Sequence, residues 1–355
     1  MVHAPPRFET TVPLRVNLYS DTQTKPSRAM KEAMMEAEVG DEQSGTDPTT
    51  NELCDRMAAL LGKEAAVFMP SGTMCNEIAI LVQCRLGDEI LAHPLCHILH
   101  SEGGAPAALA GVQITPLPDS EGIFTADSVR DAIRPKTRNA PPQRMVEVEQ
   151  TSNLGGGRVW PVAQLDAVAE AAHEAGLVTH MDGARLMNAV VAAGVPAAEM
   201  VAGYDTVWLD FTKGLGAPLG AVLAGSADFI GEAWRWKQRM GGAMRQSGIC
   251  AAACLYALDH NVDRLAEDHE NARILARELA QIPGITVERA DTNLVFFDVR
   301  QTGMTGAQLA ARVREHGVLS SVMDTFRGRA CTHLDVDRAG IMDAAAAIRE
   351  AVASI

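Results

Sequence analysis

The sequence predicts an α/β fold: a large unit built on a mainly parallel sheet, then a small C-terminal α+β unit. Three observations lead there. From about residue 50, helix-like and strand-like segments alternate; short apolar strands run up to Asp182 and to Lys213; and after about residue 226 the pattern changes to Ala-rich helix and then mixed elements. Such alternation is how a chain covers both faces of a parallel sheet with helices.

The segments follow in order. TTNELCDRMAALLG places apolar residues at helical spacing and stops at Gly62, AAVFM is a strand, and MCNEIAILVQC is helical again. EILAH, VQITPL, MVEVE, LVTHMD, DTVWLD and AVLAG are the next strand candidates, which makes seven with AAVFM. ADSVRDAI and PVAQLDAVAEAAHEAG suit the helices between them. Beyond that, an Ala-rich helical region spans Trp234 to Leu265, followed by strands TVERA and NLVFFDV, a helix near GAQLAARVREHG, a strand VLSSVMD and a last helix from about Asp337. The division is placed at 1–240 for the large unit, with its N-terminal segment, and 241–355 for the small one.

Composition narrows the function classes. At 355 residues and 47% hydrophobic, the chain can bury a large core. A net charge of −14 with scattered Lys and Arg argues against nucleic acid or an anionic membrane as partner. The seven cysteines form no C-x-x-C pair, which fits reduced thiols in a cytoplasmic protein. The first fifteen residues are polar and proline-bearing, unlike a secretory leader, and no apolar run is long enough to span a bilayer.

The chemistry centres on Lys213, in FTKGLGAPLG, and on Asp182 and Arg185, in THMDGAR. A lysine amine that can hold an aldehyde cofactor and a carboxylate that can keep a pyridine nitrogen protonated, each at a strand end, outline a pyridoxal phosphate site. In MPSGTMCN, the amides of Gly72 and Thr73 and the hydroxyls of Ser71 and Thr73 lie where a strand meets a helix, a ready phosphate site. Taken alone, Ser71 is equally an ordinary N-cap. The glycines at 214, 216 and 220 miss the dinucleotide spacing and serve as permissive backbone behind the lysine.

The histidines of HPLCHILHSEGG lack metal-ligand geometry, so no metal is assigned. One of them can stack on a cofactor ring or carry a proton, while His93 and His100 are read as packed or surface residues. Arg245 and Arg329 are candidates for gripping anions, though a surface arginine is the plain alternative. Met30, Met34 and Met35 are read as core filling.

The runs NLYSDTQTKPSRAM, EAEVGDEQSGTDPT, GKEAAVFMPSGTMCN, THMDGARLMNA, TKGLGAPLG and GGAMRQSG resemble the low-specificity L-threonine aldolases, from about residue 17 to the end of the chain. The resemblance implies the fold-type I architecture of the aspartate aminotransferase class, with a seven-stranded sheet. It implies a pyridoxal phosphate lyase that cleaves β-hydroxy-α-amino acids reversibly to glycine and an aldehyde, as a homotetramer built from two dimers.

By the same resemblance, Lys213 is the Schiff-base lysine, Asp182 faces the ring nitrogen, and Arg185 lies near the ring oxygen and the substrate carboxylate. Ser71, Gly72 and Thr73 hold the phosphate, with Arg245 reaching it from a neighbouring subunit. His97 stacks on the ring and is the candidate base, and Ser20 and Arg329 grip the carboxylate.

Two departures stand out: EQTSN, where the family reads ENTHN, puts Ser152 in place of a substrate-facing histidine, and QSG, where it reads VYG, puts Ser44 in place of a rim tyrosine. Losing two rings implies a roomier pocket that prefers bulky substrates such as phenylserine. β-Elimination or transamination on the same scaffold is the alternative enzyme reading. A non-catalytic binding protein is disfavoured because Lys213, Asp182 and Arg185 occur together.

Overall fold

The structure is a computed structural model and describes residues 12–119 and 121–353. The expected absence of a leader in the first fifteen residues lies almost wholly outside the described residues.

The chain opens with β1 (Val16–Leu18) and α1 (Arg28–Met35). Helix α2 (Pro48–Leu61) starts where the Asp47 side chain caps the Thr50 amide at 2.9 Å with Pro48 in the first turn. It stops at Gly62, whose φ of 62° only glycine adopts readily. The alternating run follows as β2 (Ala65–Met69), α3 (Gly72–Gln83), β3 (Glu89–Ala92), α4 (His97–His100), β4 (Gln113–Pro116), α5 (Ala126–Ala132), β5 (Gln143–Glu149), α6 (Val162–Glu174) and β6 (Val178–Asp182). Then come α7 (Leu186–Ala193), α8 (Ala197–Met200), β7 (Thr206–Asp210), β8 (Ala221–Gly225) and α9 (Ala227–Arg239).

Among the described residues, seven strands form one sheet in the order β2-β8-β7-β6-β5-β3-β4, parallel except for β8. These are the seven strands expected from the sequence. Strands β7 and β8 are buried along their whole length, as a sheet covered on both faces requires. The C-terminal ends of β5, β6 and β7 and the β2–α3 turn therefore come to one edge, where ligands bind in folds of this class.

The rest comprises α10 (Gly248–His260), α11 (Leu265–Ala280), β9 (Thr286–Val287), β10 (Leu294–Asp298), α12 (Gly306–Glu315), β11 (Val318–Val322), β12 (Arg327–Cys331) and α13 (Arg338–Ala353). A second sheet runs β1-β11-β12-β10-β9 over its own apolar cluster. Strand β1 pairs with β11, so the start of the chain belongs to this smaller sheet. The expected division at 240–241 falls in the segment between α9 and α10, and α10 packs through Ala251, Ala253 and Cys254 into the larger cluster.

Some expectations change. The Ala-rich stretch from Trp234 to Leu265 is three helices, because Gly241 takes a φ of 72° and a Cβ on Gly242 would sit 2.4 Å from the Met74 sulfur. In TVERA only Thr286 and Val287 are strand, with the Glu288 amide adding one bond to the Phe296 carbonyl at 2.9 Å. Met30 is fully buried and Met34 packs on the core, whereas Met35, one position round the helix, is 86% exposed. All seven cysteines are free. Among the described residues, no helix is long and apolar enough to cross a membrane.

Candidate active site

Asp182 is the last residue of β6 and is completely buried. One of its oxygens takes the Ala184 amide at 3.0 Å and the other takes the Asn76 side-chain amide at 2.8 Å. Burial pushes its carboxyl above the usual range, and the charge of Glu102 adds to this; His97, Asn76 and the Ala184 amide pull the other way. A carboxylate so placed lacks a full cationic partner, and a protonated ring nitrogen is one.

Asn76, on α3, ties the floor of the site together. Trp208 on β7 donates its indole N–H to Asn76 Oδ1 at 2.6 Å, and His180 on β6 approaches the same oxygen at 3.0 Å. Because an indole can only donate, the amide orientation is fixed and both Asn76 N–H groups point to carboxylates: Asp182 at 2.8 Å and Glu102 at 2.8 Å. Glu102 in turn meets His97 Nδ1 at 2.8 Å. His97, Glu102 and Asp182 thus bring their polar atoms within 4.8 Å of one another. His93 and His100 stay apart from this group: His93 is buried with its Nδ1 accepting the Leu95 amide, and His100 Nε2 meets the Pro94 carbonyl.

Lys213 follows β7 by three residues and forms an ion pair with Asp210, the last residue of that strand. Its ammonium stands 5.9 Å from the centre of the Trp208 ring, and its carbonyl accepts the Thr24 hydroxyl at 2.9 Å. The two glycines at 216 and 220 have φ of 77° and 126°, which bears out their reading as permissive backbone.

The β2–α3 turn presents the free amides of a twelve-residue helix, with Ser71 and Thr73 exposed. Ser71 caps the helix, accepting the Met74 amide at 3.3 Å, which is the plain reading of this residue. Gly72 has a tight constraint: a Cβ there would fall 2.1 Å from the Trp208 ring.

Arg185 donates from Nε and Nη2 to Asp21 at 2.8 and 2.7 Å, and both residues are buried. Arg329, on β12, donates to Ser321 at 3.2 Å, to Asn153 at 3.0 Å and to the Tyr19 carbonyl at 3.4 Å. Burial lowers the Arg329 pKa, and the nearby positive charge of Arg185 lowers it further. The Arg185 fork is taken by Asp21, which leaves Arg329, held only by neutral partners, as the guanidinium open to an anion. Ser20 lies beside Tyr19, is buried, and accepts from the Thr22 amide at 3.2 Å and hydroxyl at 2.8 Å.

The remaining candidates lie differently. Ser152 is buried, with its hydroxyl packed against the backbone of Gly122 and Gly155. Ser44 is exposed and donates to the Asp41 carbonyl at 3.1 Å. Arg245 is exposed and pairs with Asp41 at 2.7 Å, in a segment pinned by the buried ion pair of Lys237 with Glu42. The residues that sequence reasoning passed over are Asn76, Glu102, Asp21, Trp208 and Asp210. Only Glu102 carried a signal, standing five residues beyond His97 in a histidine-rich run.

Lysine, buried carboxylate, free helix amides and an open arginine together match the aldehyde, ring nitrogen, phosphate and carboxylate of a pyridoxal phosphate–amino acid pair. The donor set fits that cofactor.

Comparison with known proteins places the chain. It belongs to the beta-eliminating lyase family, which it matches over residues 17–302. Within that class it is a member of the low-specificity L-threonine aldolases. The Low specificity L-threonine aldolase of Escherichia coli K12 is 41% identical over 332 residues, 93% of this chain and 97% of that protein. The Low-specificity L-threonine aldolase 1 of Arabidopsis thaliana is 40% identical, over 90% of this chain and 91% of its own length. A solved structure of Leishmania major threonine aldolase shares the fold with a TM-score of 0.82 at 19% identity, covering 95% of this chain and all (100%) of that one.

Proposed function

We propose that this chain binds pyridoxal 5′-phosphate and cleaves β-hydroxy-α-amino acids, among them L-threonine, L-allo-threonine and phenylserine-like compounds, reversibly to glycine and an aldehyde. The observation that carries this is the Asn76 bridge, which holds buried Asp182 and the Glu102–His97 pair on one floor beside Lys213 and Trp208.

When bound, the cofactor supplies an electron sink for the carbanion left at Cα. Lys213 would carry it, Asp182 would hold the proton of its ring nitrogen, and Ser71, Gly72 and Thr73 would take its phosphate, with Arg245 of a neighbouring subunit. Arg329 and Ser20 hold the substrate carboxylate in one orientation, with Arg185 beside them. His97, held beside Asp182 and Glu102, would accept the β-hydroxyl proton; the aldehyde departs, and a proton returned to Cα gives glycine.

An exposed Arg245 that serves a neighbouring subunit asks for at least a dimer, and the family resemblance extends this to a homotetramer, a dimer of dimers. The seven free cysteines support the cytoplasm as its compartment. β-Elimination or transamination is the second reading, favoured by Ser152, which leaves the site without the second imidazole of the family. One experiment separates them: incubation with a panel of β-hydroxy amino acids, with glycine and aldehyde quantified against keto acids. Glycine and aldehyde in equal amounts support the aldolase, and pyruvate or another keto acid as main product overturns it. Loss of cofactor absorbance in Lys213→Ala tests the lysine's role.

A further inference from the structure

The direction of every hydrogen bond on the site floor follows from groups that can only donate. Trp208 Nε1–H fixes Asn76 Oδ1 as an acceptor, and the other group on that oxygen, His180 Nε2, must therefore also donate. His180 is wholly buried and burial lowers its pKa to about 3, so it is neutral and its Nδ1 accepts the Thr206 hydroxyl at 2.8 Å. Gln83 donates to that hydroxyl oxygen at 3.1 Å. The order Gln83, Thr206, His180, Asn76 thus runs in one sense and ends with two amide hydrogens on Asp182 and Glu102.

Glu102 Oε1 accepts from Asn76, and its side chain is fully buried. Glu77 lies alongside, pushed up to about 9 by burial and by its interaction with Glu102, so it is the neutral member. The same Glu102 Oε1 that accepts the Asn76 N–H lies 2.8 Å from His97 Nδ1, and a carboxylate oxygen in that place takes its second bond from the imidazole, so His97 Nδ1 is the donor. The structure assigns Glu102 as a positioning residue: it holds His97 in the Nδ1–H tautomer and leaves Nε2 with the lone pair that takes the substrate proton. This rests on the reading of His97 as base.

The titratable groups that face His97 are Glu102 from the loop after α4, Asp182 from β6 and Glu149 from β5. Burial alone would lower its pKa. The hydrogen bond to Glu102 and the negative charges outweigh burial and raise it. Glu102 therefore sets both which nitrogen is free and at what pH it becomes free.

The test uses the cofactor-loaded enzyme and two variants, Glu102→Gln and Glu102→Leu. In Glu102→Gln the shape is kept and the charge removed. The acidic limb of kcat/KM moves down by about one pH unit, and kcat falls about tenfold while KM changes little. In Glu102→Leu, which offers no acceptor, 15N resonances of the His97 imidazole in the cofactor-free chain change from the Nδ1–H pattern toward Nε2–H, whereas in Glu102→Gln the amide oxygen can keep the Nδ1–H bond. An unmoved acidic limb with unchanged imidazole resonances overturns the assignment even where His97→Asn abolishes cleavage. If His97→Asn keeps full cleavage, the reading of His97 as base fails instead, and the resonances still decide what Glu102 holds.

Discussion

Arg185 and Asp21 form a buried two-pronged ion pair, at 2.8 and 2.7 Å, that joins the end of β6 to the turn following β1. Arg185 thus has its fork occupied by a residue of its own chain, and what it offers an incoming substrate is charge and any remaining N–H. Burial works to raise the Asp21 carboxyl, but the charge and hydrogen bonds of Arg185 outweigh it and hold Asp21 well below the usual carboxylate range. Asp21 therefore contributes stability at any pH above its unfolded value, and that stability is lost as acid drives the pH down toward its folded value. Asp21→Ala strands a buried guanidinium and is expected to cost about 3–5 kcal/mol. Urea unfolding at neutral pH and at about pH 4 measures both, with a smaller difference between the proteins at the lower pH.

Glu77 behaves in the opposite sense. Its carboxyl is raised to about 9 by burial and Glu102, so the folded chain binds that proton more tightly than the unfolded chain. Its stabilising proton is fully in place below the unfolded value near ~4.3 and is lost as pH rises toward the folded one. Glu77→Gln is expected to flatten the decline in stability between those limits, and thermal unfolding from pH 5 to 9 reads it out. An unchanged slope would show that the side chain is already solvated.

His97→Asn removes the proposed base and keeps a hydrogen-bonding side chain. Cleavage should fall about 10²–10⁴-fold with cofactor content unchanged. Stopped-flow rates together with cofactor absorbance distinguish this from a loss of binding.

Gly72→Ala drives a methyl to within 2.1 Å of the Trp208 ring. Overpacking of this kind costs about 1–3 kcal/mol. Because Trp208 also holds Asn76, weaker cofactor binding should accompany the lower melting temperature, and a cofactor titration beside calorimetry checks this.

Substrate choice is the fifth expectation. By the resemblance read from the sequence, Ser44 and Ser152 replace rings, and on that reading phenylserine is expected to exceed threonine in kcat/KM. The Ser152 hydroxyl abuts Gly122, with an added Cβ there only 1.9 Å away, so part of the vacated volume is taken by backbone. Ser152→His should consequently lower stability by about 1–3 kcal/mol rather than simply restore a family site. A panel in which threonine ranks first would sink the expectation.

The large sheet was legible in the sequence because strands such as AAVFM, EILA and AVLAG are short apolar runs set between helical segments with clear stops, such as Gly62 after α2. Strands β1 and β12 were not: the first has three residues, and the second reads RGRAC, with two arginines that stay polar by bonding inward to Glu288, Ser321 and Asn153. Asp182 and Lys213 announce themselves by motif, and His97 and Arg329 come from the family resemblance. Asn76 has no such mark, and Glu102 only its place five residues beyond His97. Asn76 meets Asp182 across 106 positions and Trp208 across 132, and such pairings belong to the folded chain alone.

Strand β1 has three residues, yet it forms an edge of the smaller sheet, and the next turns supply Ser20, Asp21 and Thr24 to the site. Trimming the chain past residue 18, or clipping it there with a protease, would strip a sheet edge and loosen the anchor of Asp21 on Arg185, and with it the substrate grip proposed for Ser20, in one cut. Fusion partners and affinity tags on this enzyme are therefore better joined at the far end, after α13, than close to Val16.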